Sequence, residues 1–447
     1  MCERKKGRPG IRGLRPEVRG RKSEGRGQKS EGRDGKDVMK VLVTGAKGFI
    51  GKNLIVALER RTGFEVIPFD LRDPGNVLET GLAEADAVVH LAGINRPEKI
   101  DAYDAGNAEF TRHLCERLMA FGRSPHILFS SSVQAALDNP YGLSKRKAEE
   151  ILLSYAKQTG AAVSIFRLTN VFGKWSRPHY NSVVATFCHN IARNEPIAIS
   201  DPSRELDLVY IDDVVASFLG DLESVPAGGR YRPVDPVYRV SLGALAETLR
   251  SFRAERETLT LPDLGAPFIR KLYATYLSYL PEREFAYRLT EKTDNRGELA
   301  ELLKSTQSGQ MFVSRTRPGI TRGHHYHDTK VEKFIVVSGE AVIRFRKIET
   351  EAGSRLKVQG SSDEEKEEKS SEVGDRGAEG RDQRSEVGDR EPQIIEYRVS
   401  GDEFTVVDIP PGYTHSIENI GQTDLIVLFW ACEIFDPGKP DTFAEIV

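Results

Sequence analysis

The stretch Lys40-Val-Leu-Val-Thr-Gly-Ala-Lys-Gly-Phe-Ile-Gly51 decides the fold of the first half of the chain. An apolar run of strand length meets a turn with Gly45, Gly48 and Gly51, and Asn53-Leu-Ile-Val-Ala-Leu58 then continues as a helix. Glycines let the backbone approach a pyrophosphate, and the helix N-terminus behind them stabilises its charge. Lys47, Phe49 and Ile50 belong to the same turn. A second strand, Phe64-Glu-Val-Ile-Pro-Phe69, ends at Asp70, where a carboxylate can accept from an adenosine ribose. Arg72, two residues on, can instead meet a 2′-phosphate, so the choice between NAD and NADP stays open.

Working outward, a third strand over 87–91 ends at Ala92-Gly93, and a fourth over 126–129 runs into Ser130-Ser131-Ser132. A helical stretch from Ser144 and a strand over 163–167 complete the repeat. Strands alternating with helices predict a Rossmann-like doubly wound parallel sheet with ligands at the carboxyl ends of its strands. Tyr141 and Lys145, four residues apart, share one helical face, where the ammonium can lower the phenol pKa and ready it for proton transfer.

After about residue 283 the rhythm changes to short strands separated by Gly and Pro, over 310–314, 333–337, 341–345, 404–407 and 425–430. That spacing predicts an all-β sandwich or small barrel. His325 and His327, at i and i+2 on one strand, project from the same face, and Glu332 and His415 can complete an open N3O site for Zn, Fe, Mn or Ni. His324 is expected to face outward. Lys330 is either a proton shuttle or a solvated charge.

The chain has 447 residues, 39% of them hydrophobic, enough for two or three domains with real cores. No apolar run is long enough to span a membrane, and nothing resembles a signal peptide, so the expected location is cytoplasmic. The four cysteines have no paired spacing and are read as free thiols. A net charge of −3 hides a basic tail, residues 1–38, with 13 Lys and Arg against 6 Asp and Glu. Lacking aromatics and repeating Lys-Ser-Glu-Gly-Arg at 22–26 and 29–33, it is expected to be a disordered extension or a start codon set too early, with no nucleic-acid or membrane partner. Residues 351–392, with 13 acids and 8 bases, repeat Ser-Glu-Val-Gly-Asp-Arg and are expected to be a disordered insertion at a hairpin tip. The expected division is 39–282 for the dinucleotide-binding half and 283–447 for the β half.

Together the glycine turn, the serine run and Tyr141-x-x-x-Lys145 resemble the extended short-chain dehydrogenase/reductases that act on nucleotide sugars. The resemblance implies that Ser132 polarises a carbonyl, that Tyr141 is the acid and that Lys145 also holds the nicotinamide ribose. Because the loop from Ser132 to Tyr141 is short, Ser131 remains an alternative to Ser132. Asn170, Arg177 and Asn181 match the segments that hold the diphosphate and sugar, although Arg177 can equally be a solvated loop charge. The spacings Gly319-x5-His325-x-His327-x4-Glu332-x6-Gly339 and Pro410-x-Gly412-x2-His415-x3-Asn419 resemble the two cupin motifs.

The order of the halves, with the runs 90–97, 173–178 and 407–415, resembles the bifunctional capsular polysaccharide reductases of the UDP-N-acetyl-L-fucosamine pathway. That resemblance implies a UDP-2-acetamido-2,6-dideoxy-hexos-4-ulose substrate, C3 epimerisation in the cupin half assisted by a divalent metal, zinc foremost, and C4 reduction by NADPH, with NADH possible, to UDP-N-acetyl-L-talosamine. It further implies a homodimer working between a 4,6-dehydratase/5-epimerase and a 2-epimerase. The alternatives are another nucleotide-sugar 4-epimerase or dehydratase with a structural or regulatory cupin, and a non-catalytic sugar-nucleotide-binding protein.

Overall fold

The computed structural model describes residues 38–95, 99, 102–225, 228–348 and 393–447. The expectations for residues 1–37 and 351–392, and the Arg96-Pro97 part of the 90–97 run, lie outside the described residues.

The first half runs β1 (Met39–Thr44), α1 (Phe49–Glu59), β2 (Phe64–Phe69), α2 (Gly75–Glu84) and β3 (Ala87–His90). A short α3 (Ala102–Asp104) and a π-helical turn, Ala105–Glu109, lead into α4 (Phe110–Ala120). Then come β4 (His126–Ser132), α5 (Pro140–Thr159), β5 (Val163–Leu168), β6 (Asn170–Phe172), α6 (Val183–Ala192), β7 (Glu205–Tyr210) and α7 (Ile211–Glu223). Last are β8 (Gly229–Arg232), β9 (Val237–Ser241), α8 (Leu242–Thr258) and α9 (Pro267–Leu277).

Six strands form a sheet in the order β2-β1-β3-β4-β5-β8, all parallel. The order reverses beside β1, and the carboxyl ends of β1 and β3 open a crevice there. Both faces are covered, which explains why Val41-Leu-Val43 and Val88-Val89 are buried without alternation. Leu42, Val88 and Ile127 pack on one side with α4 and α5, while Val41, Val43 and Val89 pack on the other with α1 and α7. A small sheet, β6-β7-β9, carries α6, α8 and α9 on a third core.

Two boundaries beside the site differ from the sequence expectation, as does the strand expected over 404–407, which lies at Val406–Ile409. The helix α5 begins at Pro140 rather than Ser144, because the Asn139 side chain caps it by accepting from Gly142 N at 2.8 Å and Pro140 suits the first turn. The serine run lies within β4 rather than after it, so its side chains alternate across the sheet.

The second half is all β. Its strands are β10 (Glu291–Asp294), β11 (Gly297–Ser305), β12 (Gly309–Thr316), β13 (Thr321–Tyr326), β14 (Glu332–Ser338) and β15 (Glu340–Lys347). They continue as β16 (Ile394–Ser400), β17 (Val406–Ile409), β18 (Tyr413–Asn419), β19 (Leu425–Ala431) and β20 (Phe443–Ala444). Two antiparallel sheets, β10-β11-β12-β19-β14-β17 and β16-β15-β18-β13-β20, enclose a core of Phe334, Val336, Ile343, Phe345, Ile417 and Val427. The strands on either side of the charged segment, β15 and β16, are paired antiparallel, Arg346 opposite Ile394. No described helix is long and apolar enough to cross a membrane.

Candidate active site and metal centre

The glycine turn is shaped for close approach. Gly45 has φ +72°, and a Cβ there would lie 2.8 Å from Ala92 N; one at Gly51 would lie 2.3 Å from Gly45 O. Gly48 caps α1 with no side chain over the helix end, which leaves the N-terminal amides of α1 free for a phosphate. At the end of β2, the Asp70 carboxylate accepts from Lys47 N and Leu71 N, each at 2.9 Å. Lys47 Nζ pairs with Asp73 at 2.5 Å, while Arg72 stands exposed. Phe49 and Ile50 are half-buried at the start of α1.

Alternation along β4 turns Ser131 and Ser132 to opposite faces of the sheet. Ser131 is buried and donates to Glu149 Oε1 at 2.5 Å, in a cluster where Glu149 also takes a bidentate Arg167 and the Tyr231 hydroxyl. Ser132 points the other way: its hydroxyl accepts from Gln134 N at 3.2 Å, and it draws the Tyr141 phenol pKa down. The Tyr103 ring packs against Tyr141 with centroids 5.9 Å apart. Burial pushes the Tyr141 phenol up from its ordinary value, the Ser132 hydroxyl pulls it down, and Tyr103 adds a further upward push. The expected lowering by Lys145 is therefore not what the protein alone produces. Lys145 is turned to the Ser130 carbonyl, to which Nζ donates at 2.9 Å, and lies over the Phe129 ring. Burial brings its pKa down to about 8, against an upward pull from Glu149.

Sequence reasoning missed Asn107. Buried in the π-helical turn, it accepts from Ile94 N at 3.0 Å and donates to Ile94 O at 2.9 Å and Ser144 Oγ at 3.0 Å. It thereby ties the segment after β3 to α5. A Cβ on Gly93 would lie 2.6 Å from Asn107 Oδ1 and 3.1 Å from Lys145 Nζ, so Gly93 abuts the lysine. Ala92 N donates to Thr44 Oγ1 at 3.2 Å, and Thr44 and Thr111 bracket the buried His90 ring at 2.8 and 3.0 Å. No sequence spacing marks Asn107; only a π-turn aiming an amide inward reveals it.

The three expected substrate residues are not joined to this group. Asn170 lies on the small sheet and donates to Asp207 O at 3.1 Å. Arg177 and Asn181 are exposed on the loop before α6, with Arg177 stacked over Tyr180.

In the β half His325, His327, Glu332 and His415 converge, with ligand atoms all within 4.8 Å of one another. His325 faces His415 across the β13–β18 pair, ring centroids 4.5 Å apart. His327 falls just past the end of β13, and a bulge between Gly323 and His325, with His324 at φ +58°, re-aims the strand. The expected i, i+2 geometry of one regular strand is thus replaced by a bulge and a strand end. His327 Nδ1 meets Asp441 O at 2.5 Å, which leaves Nε2 to face the cluster 3.4 Å from Glu332. Asp441 itself accepts from the amides of Asp328, Thr329 and Lys330 and so clamps the loop that carries the donors.

Burial lowers His415 to about 3 and also lowers His325, so these imidazoles are neutral. Burial opposes ionisation of Glu332, but His327 and Lys330 outweigh it and hold the carboxyl below its usual range. His327 Nε2 and both ring nitrogens of His415 are buried without a hydrogen-bond partner. Neutral imidazoles with orphaned nitrogens beside a carboxylate are the donor set a divalent metal requires. Lys330 is not a solvated charge: its Nζ lies 3.4 Å from Glu332 Oε1 and 3.2 Å from Thr442 Oγ1.

Comparison with known proteins matches both halves. The NAD dependent epimerase/dehydratase family matches residues 41–233, and the Polysaccharide biosynthesis C-terminal domain matches residues 292–367 and 385–443. The UDP-2-acetamido-2,6-beta-L-arabino-hexul-4-ose reductase of Pseudomonas aeruginosa is 43% identical over 406 residues, covering 91% of this chain and 98% of its own length. The crystal structure of the capsular polysaccharide assembling protein CapF from Staphylococcus aureus superposes with a TM-score of 0.76 at 42% identity, covering 92% of this chain and 100% of that one. A CapF structure with the inhibitor 3-isopropenyl-tropolone gives a TM-score of 0.73 at 39% identity, with the same coverages of 92% and 100%. A nucleotide fold with an ordered Ser-Tyr-Lys group, joined to a β half with a histidine cluster and matched nearly end to end, places this chain in the family of two-domain capsular polysaccharide reductases to which these proteins belong.

Proposed function

We propose that the chain is a bifunctional nucleotide-sugar enzyme that epimerises C3 and reduces the C4 ketone of a UDP-2-acetamido-2,6-dideoxy-hexos-4-ulose, giving UDP-N-acetyl-L-talosamine. The observation that carries it is the grouping of Ser132 and Tyr141 with buried Lys145, at the carboxyl ends of β1, β3 and β4, in a chain 43% identical to a named hexul-4-ose reductase. The reductase half is residues 39–282 and the cupin half residues 283–447. The protein acts in the cytoplasm as a homodimer, after a 4,6-dehydratase/5-epimerase and before a 2-epimerase.

A nicotinamide bound along the α1 amides supplies the hydride to C4. Gly45, Gly48 and Gly51 seat its pyrophosphate and Asp70 its adenosine ribose, while exposed Arg72 favours the 2′-phosphate of NADPH over NADH. Ser132 donates to the C4 oxygen, and Tyr141 gives that oxygen its proton as C4 becomes tetrahedral. Lys145 is positioned by the Ser130 carbonyl to stabilise the resulting phenolate. Asn170, Arg177 and Asn181 face the diphosphate and sugar.

Three histidines and Glu332 would hold a divalent ion, zinc by preference, whose Lewis acidity makes the C3 proton removable. Lys330, beside that donor set, moves the proton. A tropolone carries two vicinal oxygens that suit chelation of a metal, so its being named an inhibitor of CapF supports a metal role.

The test is to incubate the purified protein with isomeric UDP-4-keto-6-deoxy-hexosamines and NADPH or NADH, following absorbance and product NMR. Stoichiometric oxidation with deuterium at C3 is expected. A cofactor that cycles without net oxidation would favour a 4-epimerase with a structural cupin.

A further inference from the structure

Three ligating side chains meet outside both sites described above. His179, His189 and Glu195 place one ligand atom each within 4.8 Å of one another. They come from the loop before α6, from α6 itself and from the turn beyond it. The two imidazole rings meet edge to face with centroids 5.4 Å apart. Among the described residues, no hydrogen bond engages either ring or the Glu195 carboxylate.

The backbone holds this grouping in place. His179 has φ +55°, a conformation costly for a residue with a Cβ, and its N–H is tied to the Thr186 hydroxyl at 3.0 Å. Thr186 is anchored in turn on Ser182 O at 2.9 Å, so the loop is pinned to the first turns of α6. Glu195 follows Asn194, also left-handed at φ +59°, and its N–H returns to Asn190 O at 2.8 Å. Arg193 turns a guanidinium nitrogen away, donating to His189 O and Tyr279 O.

We propose that His179, His189 and Glu195 form a second divalent metal site that staples the loop bearing Arg177 and Asn181 to α6. Tetrahedral donors about 2.1 Å from an ion lie roughly 3.4 Å apart, and these ligand atoms already lie within 4.8 Å of one another. Two imidazoles and one carboxylate select zinc, cobalt or nickel over magnesium or calcium. Water or a phosphate oxygen completes the shell. The consequence for nucleotide-sugar uptake, unlike the site itself, rests on the proposed reductase function.

The full chain, stripped of metal and dialysed against zinc without nucleotide, is expected to hold two ions. One ion remains in H189A or in exposed H179A, one in the H325A/H415A double variant, and none when H179A is added to that double variant. H113A, which removes a surface histidine paired with Glu79, keeps two. A single ion in the wild type that vanishes in H325A/H415A, or a count unmoved by both H179A and H189A, overturns the proposal. In the H325A/H415A background zinc should tighten UDP about fivefold, an effect lost in H179A. UDP binding indifferent to zinc removes the stapling role. No UDP binding at all, with the ion count intact, refutes the nucleotide-sugar reading instead.

Discussion

The protonation of Lys145 should set the upper pH limit of the reductase. Lys145 is 5% exposed, its ammonium held between the Ser130 carbonyl and the Phe129 ring, and burial brings its pKa down to about 8. His90, the nearest buried imidazole, is pushed down to about 3, and Tyr141 is pushed upward by burial, so neither titrates near that value. In the protein without ligand, kcat/KM for NADPH reports these groups. The charged fraction is about 0.9 at pH 7 and about 0.1 at pH 9, so kcat/KM should fall roughly tenfold over that interval. Glu149 raises the Lys145 pKa, so E149Q should move the inflexion to lower pH and slow the enzyme at neutral pH. Stopped-flow measurement of NADPH oxidation from pH 6 to 10, with circular dichroism to confirm folding, tests both. A profile level beyond pH 9, or one unmoved by E149Q, would refute a role for the charged lysine.

Tyr141→Phe should reduce NADPH oxidation by about 10²-fold or more while solvent deuterium still enters C3; loss of both activities would argue against independent sites. His325→Ala should release the ion from the β half and stop that exchange, and exchange at the wild-type rate in the variant would remove the metal from the chemistry. Arg72→Ala should raise KM for NADPH about tenfold and leave NADH unchanged, since a charged hydrogen bond is worth roughly 1.5 kcal/mol or more; equal effects on both cofactors would show that Arg72 does not read the 2′-phosphate. Ile343→Ala, at a residue 1% exposed between the two sheets, should cost about 2–5 kcal/mol in urea unfolding, and an unshifted midpoint would mean that this core does not hold the β half together.

Much of this architecture was legible because its determinants are local. The turn over 44–51 needs glycine where a side chain would strike Ala92 or Gly45, and Tyr141 and Lys145 need only one helical turn between them. The start of α5 was misplaced because Asn139-Pro140 reads equally as a loop until its cap is formed. Ser131 and Ser132 could not be separated until the strand reached both and alternation assigned their faces. Asn107 left no trace because its role arises from a π-turn and from contacts 13 and 37 residues distant. The four side chains that converge in the β half were picked out by spacing, but the bulge that aims them was not, since it reflects pairing with β18. His179, His189 and Glu195 fit no spacing rule; two left-handed residues bring them together.

The pairing of β15 with β16 has a practical corollary. Arg346 and Ile394 are cross-strand partners, so the two ends of the intervening connection are fixed side by side by the sheet, independently of what joins them. Each doubling of a loop's length costs only about 0.6 kcal/mol, so this strand pair tolerates cargo inserted between its two strands. A fluorophore, an epitope or a whole reporter protein could be carried there without rewiring the barrel.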